Sequence, residues 1–205
     1  MFKISISMFF LILSFSLKAQ NDDYINKKEV SVQIITNEGK ILFGKTRFSY
    51  MSELQEEIWF YYPAKDDPSH KDIQVYRPFE IGGFTLDGKQ FISIEQAGLV
   101  AGLNQFFLQK DIEGKLKLFT LYKLDNIDKV ESQENFLQKD ADKYYSLKNL
   151  KFINFKKAMS TYVSDCPDLS EKIADKTYIA QDIEKIVEEY NGYFELIAEQ
   201  SKSSK

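Results

Sequence analysis

The stretch at residues 81–94, IGGFTLDGKQFISI, is typical of two short strands joined by a tight turn. Apolar and polar residues alternate around Asp87-Gly88, and a period of two is that of a strand with one face on a core. Glycine supplies the positive φ that a two-residue hairpin loop requires. If Asp87-Gly88 is that loop, Phe84 faces Phe91 across the hairpin. The stretch therefore predicts an antiparallel hairpin with a cross-strand aromatic pair.

Two further triplets have the same turn chemistry. Glu38-Gly39-Lys40 and Glu113-Gly114-Lys115 each place a glycine between strand-like runs, which predicts two more hairpins. Phosphate loops also contain Gly-Lys, but their glycine spacing and following Ser/Thr are missing from all three turns. Because Val30, Val32 and Ile34 alternate with polar residues before the first turn, the β-rich portion is expected to extend from residue 24 to residue 148.

The end of that portion, residues 126–149, is compatible with either a helix or a last hairpin. Phe136 and Leu137 come before a polar segment, and Tyr144 and Leu147 come after it. This arrangement favours the hairpin.

From residue 149 to residue 199 the apolar period becomes that of a helix. Stripes with steps of three and four residues are far more often part of a core than a docking face, so we expect them to pack on one face of the sheet. The stripes contain Phe152, Phe155, Met159 and Tyr162, then Leu169 and Ile173, and finally Ile179, Ile183, Ile186, Val187, Tyr190 and Phe194.

The predicted fold class is α+β. An antiparallel meander, sandwich or partly open barrel would be covered by two or three C-terminal helices. Residues 200–205 are polar and are expected to form a disordered tail.

The N-terminal sequence MFKISISMFFLILSFSLKAQ resembles a cleaved signal peptide spanning residues 1–20. Lys3 gives the positive start, residues 4–17 are mostly apolar, and Ala19 is a small residue near the expected cleavage point. The apolar run is short for a membrane helix and a polar segment follows it, so no transmembrane span is expected in the mature form. The expected location is the periplasm, the periphery of the outer membrane or the extracellular space.

Charge excludes one class of partner. The chain has 27 Lys and Arg against 31 Asp and Glu, a net charge of −4. Loss of Lys3 and Lys18 with the signal leaves 25 against 31, or −6. A mature chain of this charge is not expected to coat nucleic acid or an anionic membrane non-specifically.

The run EEIWFYYP at residues 56–63 is apolar on both strand faces. One interpretation is a central strand that is covered on both sides. The other is that Trp59 and Tyr61, together with Tyr76 and Arg77, form a contact surface for a peptide, a glycan, a lipid or another envelope protein, since dense exposed aromatics usually mark contact sites.

Cys166 is the only cysteine of the chain and lies where a helix is expected to begin. Pro167 suits the first helical turn, with Ser164 or Asp165 as the cap. A nucleophilic role lacks support because the nearby aspartates oppose a thiolate. The packing role of a small buried residue is favoured, and a redox or partner-linked thiol is the alternative.

His70 is the only histidine and lies in a polar turn with Asp66, Asp67 and Asp72. Spaced aspartates can hold a cation, but no calcium-loop spacing is present and lysines intervene. A solvated turn is favoured, so neither a metal nor another cofactor is predicted.

No sequence motif predicts catalytic residues, and the leading hypothesis is a non-enzymatic protein with a binding or structural role. Paired carboxylates such as Glu56-Glu57 point in different directions on a strand, and sequence spacing does not place two of them in one cleft. One alternative is a hydrolase whose site is assembled from distant residues. Another is a thiol-linked partner of a second exported protein.

The segments SDCP at residues 164–167 and EEYN at residues 188–191 occur in a helical half that follows a β-rich half. In this order they resemble a family of uncharacterised exported proteins of Bacteroidetes. The resemblance implies an envelope or extracellular location in such a bacterium and no established activity.

One departure from that family concerns the thiol. Relatives often have a second cysteine shortly after the EEYN segment, whereas this chain reads EEYNGYFEL. The resemblance thus implies that Cys166 is what remains of a lost disulfide.

Overall fold

The computed structural model describes residues 29–63, 71–100, 103–125, 127–140, 142–148 and 154–203. Ten strands form one open antiparallel sheet in the order β10-β9-β8-β7-β6-β5-β1-β2-β3-β4, and three helices follow it. The α+β prediction with an antiparallel sheet and C-terminal helices is therefore confirmed. The strands are β1 Val30–Thr36, β2 Ile41–Thr46, β3 Ile58–Pro63, β4 Lys71–Tyr76, β5 Ile81–Leu86, β6 Lys89–Val100, β7 Leu103–Ile112, β8 Leu116–Leu124, β9 Glu131–Lys139 and β10 Tyr145–Ser146. The helices are α1 Phe155–Tyr162, α2 Pro167–Ala174 and α3 Ile183–Ser203, with short 3-10 helices at Met51–Gln55 and Ala180–Asp182.

The predicted hairpins are present in the sheet. Phe84 pairs with Phe91 across the β5–β6 turn, and their rings stack with centroids 4.6 Å apart. Gly88 has a φ of 77°, the left-handed conformation that favours glycine at such a turn. The last hairpin is also confirmed, since Tyr145 of β10 pairs with Leu137 of β9.

The strand order and the short β4–β5 connection require the sheet to curl. Residues 77–80 connect β4 to β5, although three strands lie between these two in the sheet. Four strand spacings in a flat sheet amount to about 19 Å. Five Cα steps from Tyr76 to Ile81 span at most roughly 18 Å. The sheet therefore bends so that β4 approaches β5.

The inner face of the curl holds a core in which strands from both parts of the sheet meet. Ile58 and Phe60 of β3 belong to the same buried cluster as Phe107 of β7 and Tyr122 of β8. Gly44 of β2 lies against this core, because a Cβ there would come within 2.4 Å of the Phe60 ring. The predicted inner row of β1 is confirmed, with Val32 and Ile34 buried in this core and Val30 packed against it.

The three helices pack on one face of β8 and β9, as the sequence predicts. Their buried side chains contact Leu116 and Leu118 of β8 and Leu137 of β9. The buried helical residues are Met159, Val163, Leu169, Ile173, Ile183, Ile186, Val187 and Tyr190. Ile179 is exposed, and Phe152 lies outside the described residues.

A side-chain clamp joins α3 to β8. The Asn191 amide accepts a hydrogen bond from the Leu116 N–H at 2.8 Å and donates one to the Leu116 carbonyl at 2.9 Å. Both groups are buried, so the clamp satisfies backbone atoms that water cannot reach. Helix α3 continues to Ser203 and thus enters the segment for which the sequence predicts a disordered tail.

No helix within the described ranges has the length and apolar character needed to cross a bilayer.

Candidate functional site

The candidate site lies on the side of β2, β3 and β4 that faces away from the inner core. Strand register defines this surface, because Lys45 pairs with Tyr61, Tyr61 with Ile73, and Trp59 with Val75. Paired residues in a sheet share one face. We call this surface the outer face; it comprises Ile41, Phe43, Lys45, Trp59, Tyr61, Lys71, Ile73 and Val75.

Three of the four contact residues predicted from the sequence lie together on this side. Trp59 donates a hydrogen bond through Nε1 to Glu57 Oε1 at 2.8 Å, and Arg77 Nε lies 3.7 Å from the other oxygen of the same carboxylate. Tyr61 lies on the same face of β3 as Trp59. Tyr76 pairs with Ile58 and therefore points the other way, where its ring packs 5.9 Å from Phe60.

The outer face exposes large apolar side chains. Phe43 is 70% exposed, Ile73 is 55% exposed and Ile41 is 49% exposed. Single exposed hydrophobic residues are normal on proteins, but several on one sheet face form a patch that usually marks an interaction site. The prediction from sequence missed Phe43 and Ile73. The alternation of side chains between the two strand faces within FGKT and KDIQVY is the sequence pattern that could have placed Phe43 and Ile73 on this face.

Three cations converge on one carboxylate at the margin of the outer face. Glu29 accepts hydrogen bonds from Arg47 at 2.6 Å, from Lys71 at 2.5 Å and from Lys45 at 3.3 Å. The hydrogen bonds from Lys71 and Arg47 lower the pKa of Glu29 from its usual value to about 2, so this carboxylate is ionised at neutral pH. The group of four side chains, which we call the Glu29 cluster, therefore carries a net charge of +2.

Tyr61 lies beneath this cluster. The Arg47 guanidinium carbon is 5.3 Å from the centroid of the Tyr61 ring, and Tyr61 is only 7% exposed. Burial raises the pKa of the Tyr61 hydroxyl. Tyr61 thus packs against Arg47 of the cluster, and Ile73 lies opposite Tyr61 in the strand register.

The cavity beside Trp59 is small. It has a volume of 220 Å³ and is lined by Trp59, Arg47 and Glu57 with three neighbouring residues. Sites for drug-sized ligands occupy roughly 300–1,000 Å³. This size favours a surface contact over an enclosed small molecule.

Cys166 is 2% exposed, packs in the core beneath the helices and forms no disulfide. Cys166 occupies the N-cap position of α2. The expectation that Ser164 or Asp165 caps this helix is therefore wrong. Asp165 instead accepts hydrogen bonds from Lys139 Nζ at 2.8 Å and from the Tyr190 hydroxyl at 2.7 Å. Burial raises the pKa of the Cys166 thiol, which opposes thiolate formation. This environment is the one that the packing role requires.

The possible metal site at His70 lies outside the described residues, as do Asp66 and Asp67. Among the residues that the structure describes, no group of three or more His, Cys, Asp or Glu side chains is placed to hold a metal ion.

A polar network on β7 and β8 was not predicted from the sequence. The Thr120 hydroxyl donates to Asp111 Oδ2 at 2.7 Å, and the Gln109 amide donates to Asp111 Oδ1. Behind them, the Tyr122 hydroxyl donates to Gln109 Oε1 at 2.7 Å, and Asn135 donates to Thr120 at 3.1 Å. The β7–β8 register shifts between Lys110 and Ile112, so a β-bulge presents the carboxylate, and alternation in the sequence does not reveal it.

Asp111 is the one carboxylate in this hydrogen-bonded network, and its side chain reaches solvent. Desolvation by partial burial raises the pKa of the Asp111 carboxyl group, although the hydrogen bonds from Thr120 and Gln109 act in the opposite direction. A carboxyl group with a raised pKa can exchange a proton in acid–base chemistry. A glycosidase would need a second carboxyl group facing the same cleft.

Comparison with known proteins returns no matching family model, no matching curated protein and no matching solved structure.

Proposed function

We propose that this protein is an exported, non-enzymatic binding protein that holds a partner against its outer face, in the cell envelope or outside the cell. The observation that carries the proposal is the exposure of Phe43, Ile73 and Ile41 on a single sheet face. Leaving such side chains in water is unfavourable, and a partner that covers them gains their burial.

The surroundings of the patch support a macromolecular partner. The Glu29 cluster supplies charge at its margin, and Trp59 supplies an aromatic ring of the kind that is enriched at interfaces. The small cavity beside Trp59 also favours a broad surface contact.

Export is the second part of the proposal. It is supported by the positive, apolar and small-residue order of residues 1–20. The resemblance to exported Bacteroidetes proteins points to the same location. The intact mass of the protein recovered from its native envelope or culture fluid tests export: a mass that begins near residue 20 or 21 is expected, and a full-length chain in the cytoplasm would contradict it.

The binding proposal is tested by photocrosslinking in the organism that makes the protein. A photoreactive amino acid replaces Phe43, and a matched control carries it at Leu196, which is 60% exposed on α3. We expect a discrete adduct from position 43 that disappears when an excess of protein without the photoreactive group is present. Equal labelling from both positions, or none from position 43, would refute a contact at the outer face.

A hydrolase is the second candidate, because Asp111 combines solvent access with a raised pKa. Purified protein and its Asp111→Asn variant are compared on panels of glycan and peptide substrates. Turnover that the variant loses, while its far-UV spectrum stays unchanged, would favour the hydrolase. Absence of turnover by the unmodified protein across both panels would count against it.

A further inference from the structure

We infer that the partner is an acidic, extended segment of another protein that adds as a strand to the outer edge of β4. This inference rests on the proposed function, because it assigns a partner class to the same outer face. It uses two observations beyond the exposed apolar patch: the position of β4 at the end of the sheet, and the charge of the Glu29 cluster.

Strand β4 is the last in the sheet order, and within the described residues it pairs with β3 alone. Lys71, Asp72, Ile73 and Gln74 are all exposed. An edge strand presents a row of backbone N–H and C=O groups that can pair with another chain. Peptide recognition by strand addition uses these groups for affinity and the side chains of alternate residues for specificity.

The Glu29 cluster determines the sign of the partner's charge. Three cations surround one ionised carboxylate, so the local net charge is +2 in a chain whose net charge is −4. Lys45 and Lys71 keep about half of their side chains in water, which leaves them available to a second carboxylate. Arg47 Nε is buried and has no hydrogen-bond partner among the residues that the structure describes. An acidic partner complements this surface, and a basic one would be repelled.

The same features disfavour a lipid surface. Lipid tails offer no hydrogen-bonding groups to the unpaired backbone of an edge strand. The chain has a net negative charge, so its surface beyond the Glu29 cluster would also repel an anionic membrane.

Alternation along β4 gives the pattern of the partner. Lys71, Ile73 and Val75 share the outer face, so an added strand would place a carboxylate beside Lys71 and apolar side chains beside Ile73 and Val75. Such a segment would contain acidic and β-branched residues two positions apart. Its apolar side chains would cover Ile73, which lies opposite Tyr61, and Val75, which lies opposite Trp59.

The experiment measures binding of three fluorescent synthetic peptides of one length by anisotropy. The first alternates Val and Ile with polar residues and has Glu at the position beside Lys71. The second carries Lys in place of Glu. The third is the acidic peptide with alternate backbone nitrogens methylated, which preserves its charge but removes hydrogen-bond donors. We expect the acidic peptide to bind at least tenfold more tightly than either of the others, and more weakly as salt is raised.

Two variants of the full protein locate the contact. Lys71→Glu is expected to weaken the acidic peptide at least tenfold, whereas Lys185→Glu, the same charge change on α3, is expected to leave its affinity within twofold. Lys185 is exposed and lies outside the sheet, so it controls for net charge. Far-UV spectra of both variants confirm that each is folded.

Several results would overturn the inference. Equal binding of the methylated peptide would exclude strand addition, and equal binding of the basic peptide would exclude the charge assignment. Binding only to vesicles that contain phosphatidylglycerol would assign the face to a membrane. If none of the peptides binds while position 43 still gives its discrete crosslink, the acidic-strand inference fails and the proposed function stands.

Discussion

The two ends of this sheet differ in what covers them. On β8 and β9 the protein's own helices bury Leu116, Leu118 and Leu137 to 1% exposure or less. On β2 and β4, Phe43 and Ile73 remain more than half exposed. Apolar residues are placed on the sheet surface in both regions, but within the part of the chain that the structure describes only the first region is covered by other elements of the protein. The difference shows that the protein's own helices cover the helical end, and it supports the proposal that an external partner covers the outer face.

The largest expected effect comes from a cavity in the covered region. Leu169→Ala removes a fully buried side chain of α2 and should lower the free energy of unfolding by about 2–5 kcal/mol. Leu196→Ala, on the exposed side of α3, should change it by no more than about 0.5 kcal/mol. Urea unfolding, monitored by circular dichroism, measures both values. Equal decreases in the free energy of unfolding would contradict the assignment of Leu169 to the core and Leu196 to the surface.

A second prediction concerns the clamp between α3 and β8. Asn191→Ala leaves the Leu116 N–H and carbonyl without their buried partner and should cost about 1–3 kcal/mol. The neighbouring change Gly192→Ala is the matched control, because a Cβ at this position meets none of the described residues within 4 Å. It should stabilise the helix by roughly 0.5–1 kcal/mol. Urea unfolding measures both changes. If both substitutions lower the free energy of unfolding, the destabilisation of α3 has a cause other than the loss of the Asn191 hydrogen bonds.

The Glu29 cluster provides a pH-dependent prediction for the uncovered region. The folded pKa of Glu29 lies below its unfolded value, so its stabilisation is complete above the usual glutamate pKa and disappears as the pH falls towards about 2. Glu29→Gln should therefore cost roughly 0.5–1 kcal/mol at pH 7, the scale of partly exposed ion pairs. The difference from the unmodified protein should shrink at pH 3. A constant difference across this range would mean that the carboxylate's charge contributes nothing.

The smallest expected effect is on the stability of the outer face itself. Phe43→Ser should change the free energy of unfolding by no more than about 0.5 kcal/mol, because the side chain is already mostly in water. Thermal unfolding checks this value. A loss as large as that of Leu169→Ala would assign Phe43 to the fold and remove it from the contact surface.

Sequence reasoning was most successful where the structure depends on neighbours in the chain. The Phe84–Phe91 pair follows from one turn, and the buried stripe of α3 follows from helical periodicity. The return of β5 to β1 could not be predicted, because it depends on pairing between strands that are distant in the sequence.

The candidate site was predicted only in part for the same reason. Trp59 and Tyr61 share a face by alternation within one strand, whereas the position of Tyr76 depends on the register between β3 and β4. The bond between Glu29 and Lys71 joins residues 42 positions apart, and no local pattern indicates it. The Asp111 network was missed because a bulge interrupts the alternation on which the prediction relied.

Trp59 is the only tryptophan of the chain and lies on the outer face, so its fluorescence reports directly on the proposed contact surface. The most direct test of the account is to titrate the acidic strand peptide into the protein and to measure Trp59 emission and its quenching by acrylamide. We expect a saturable shift of the emission to shorter wavelength and reduced quenching, and both should be absent in Lys71→Glu. Binding of the peptide, seen by anisotropy, without any change at Trp59 would place the contact elsewhere and contradict the account.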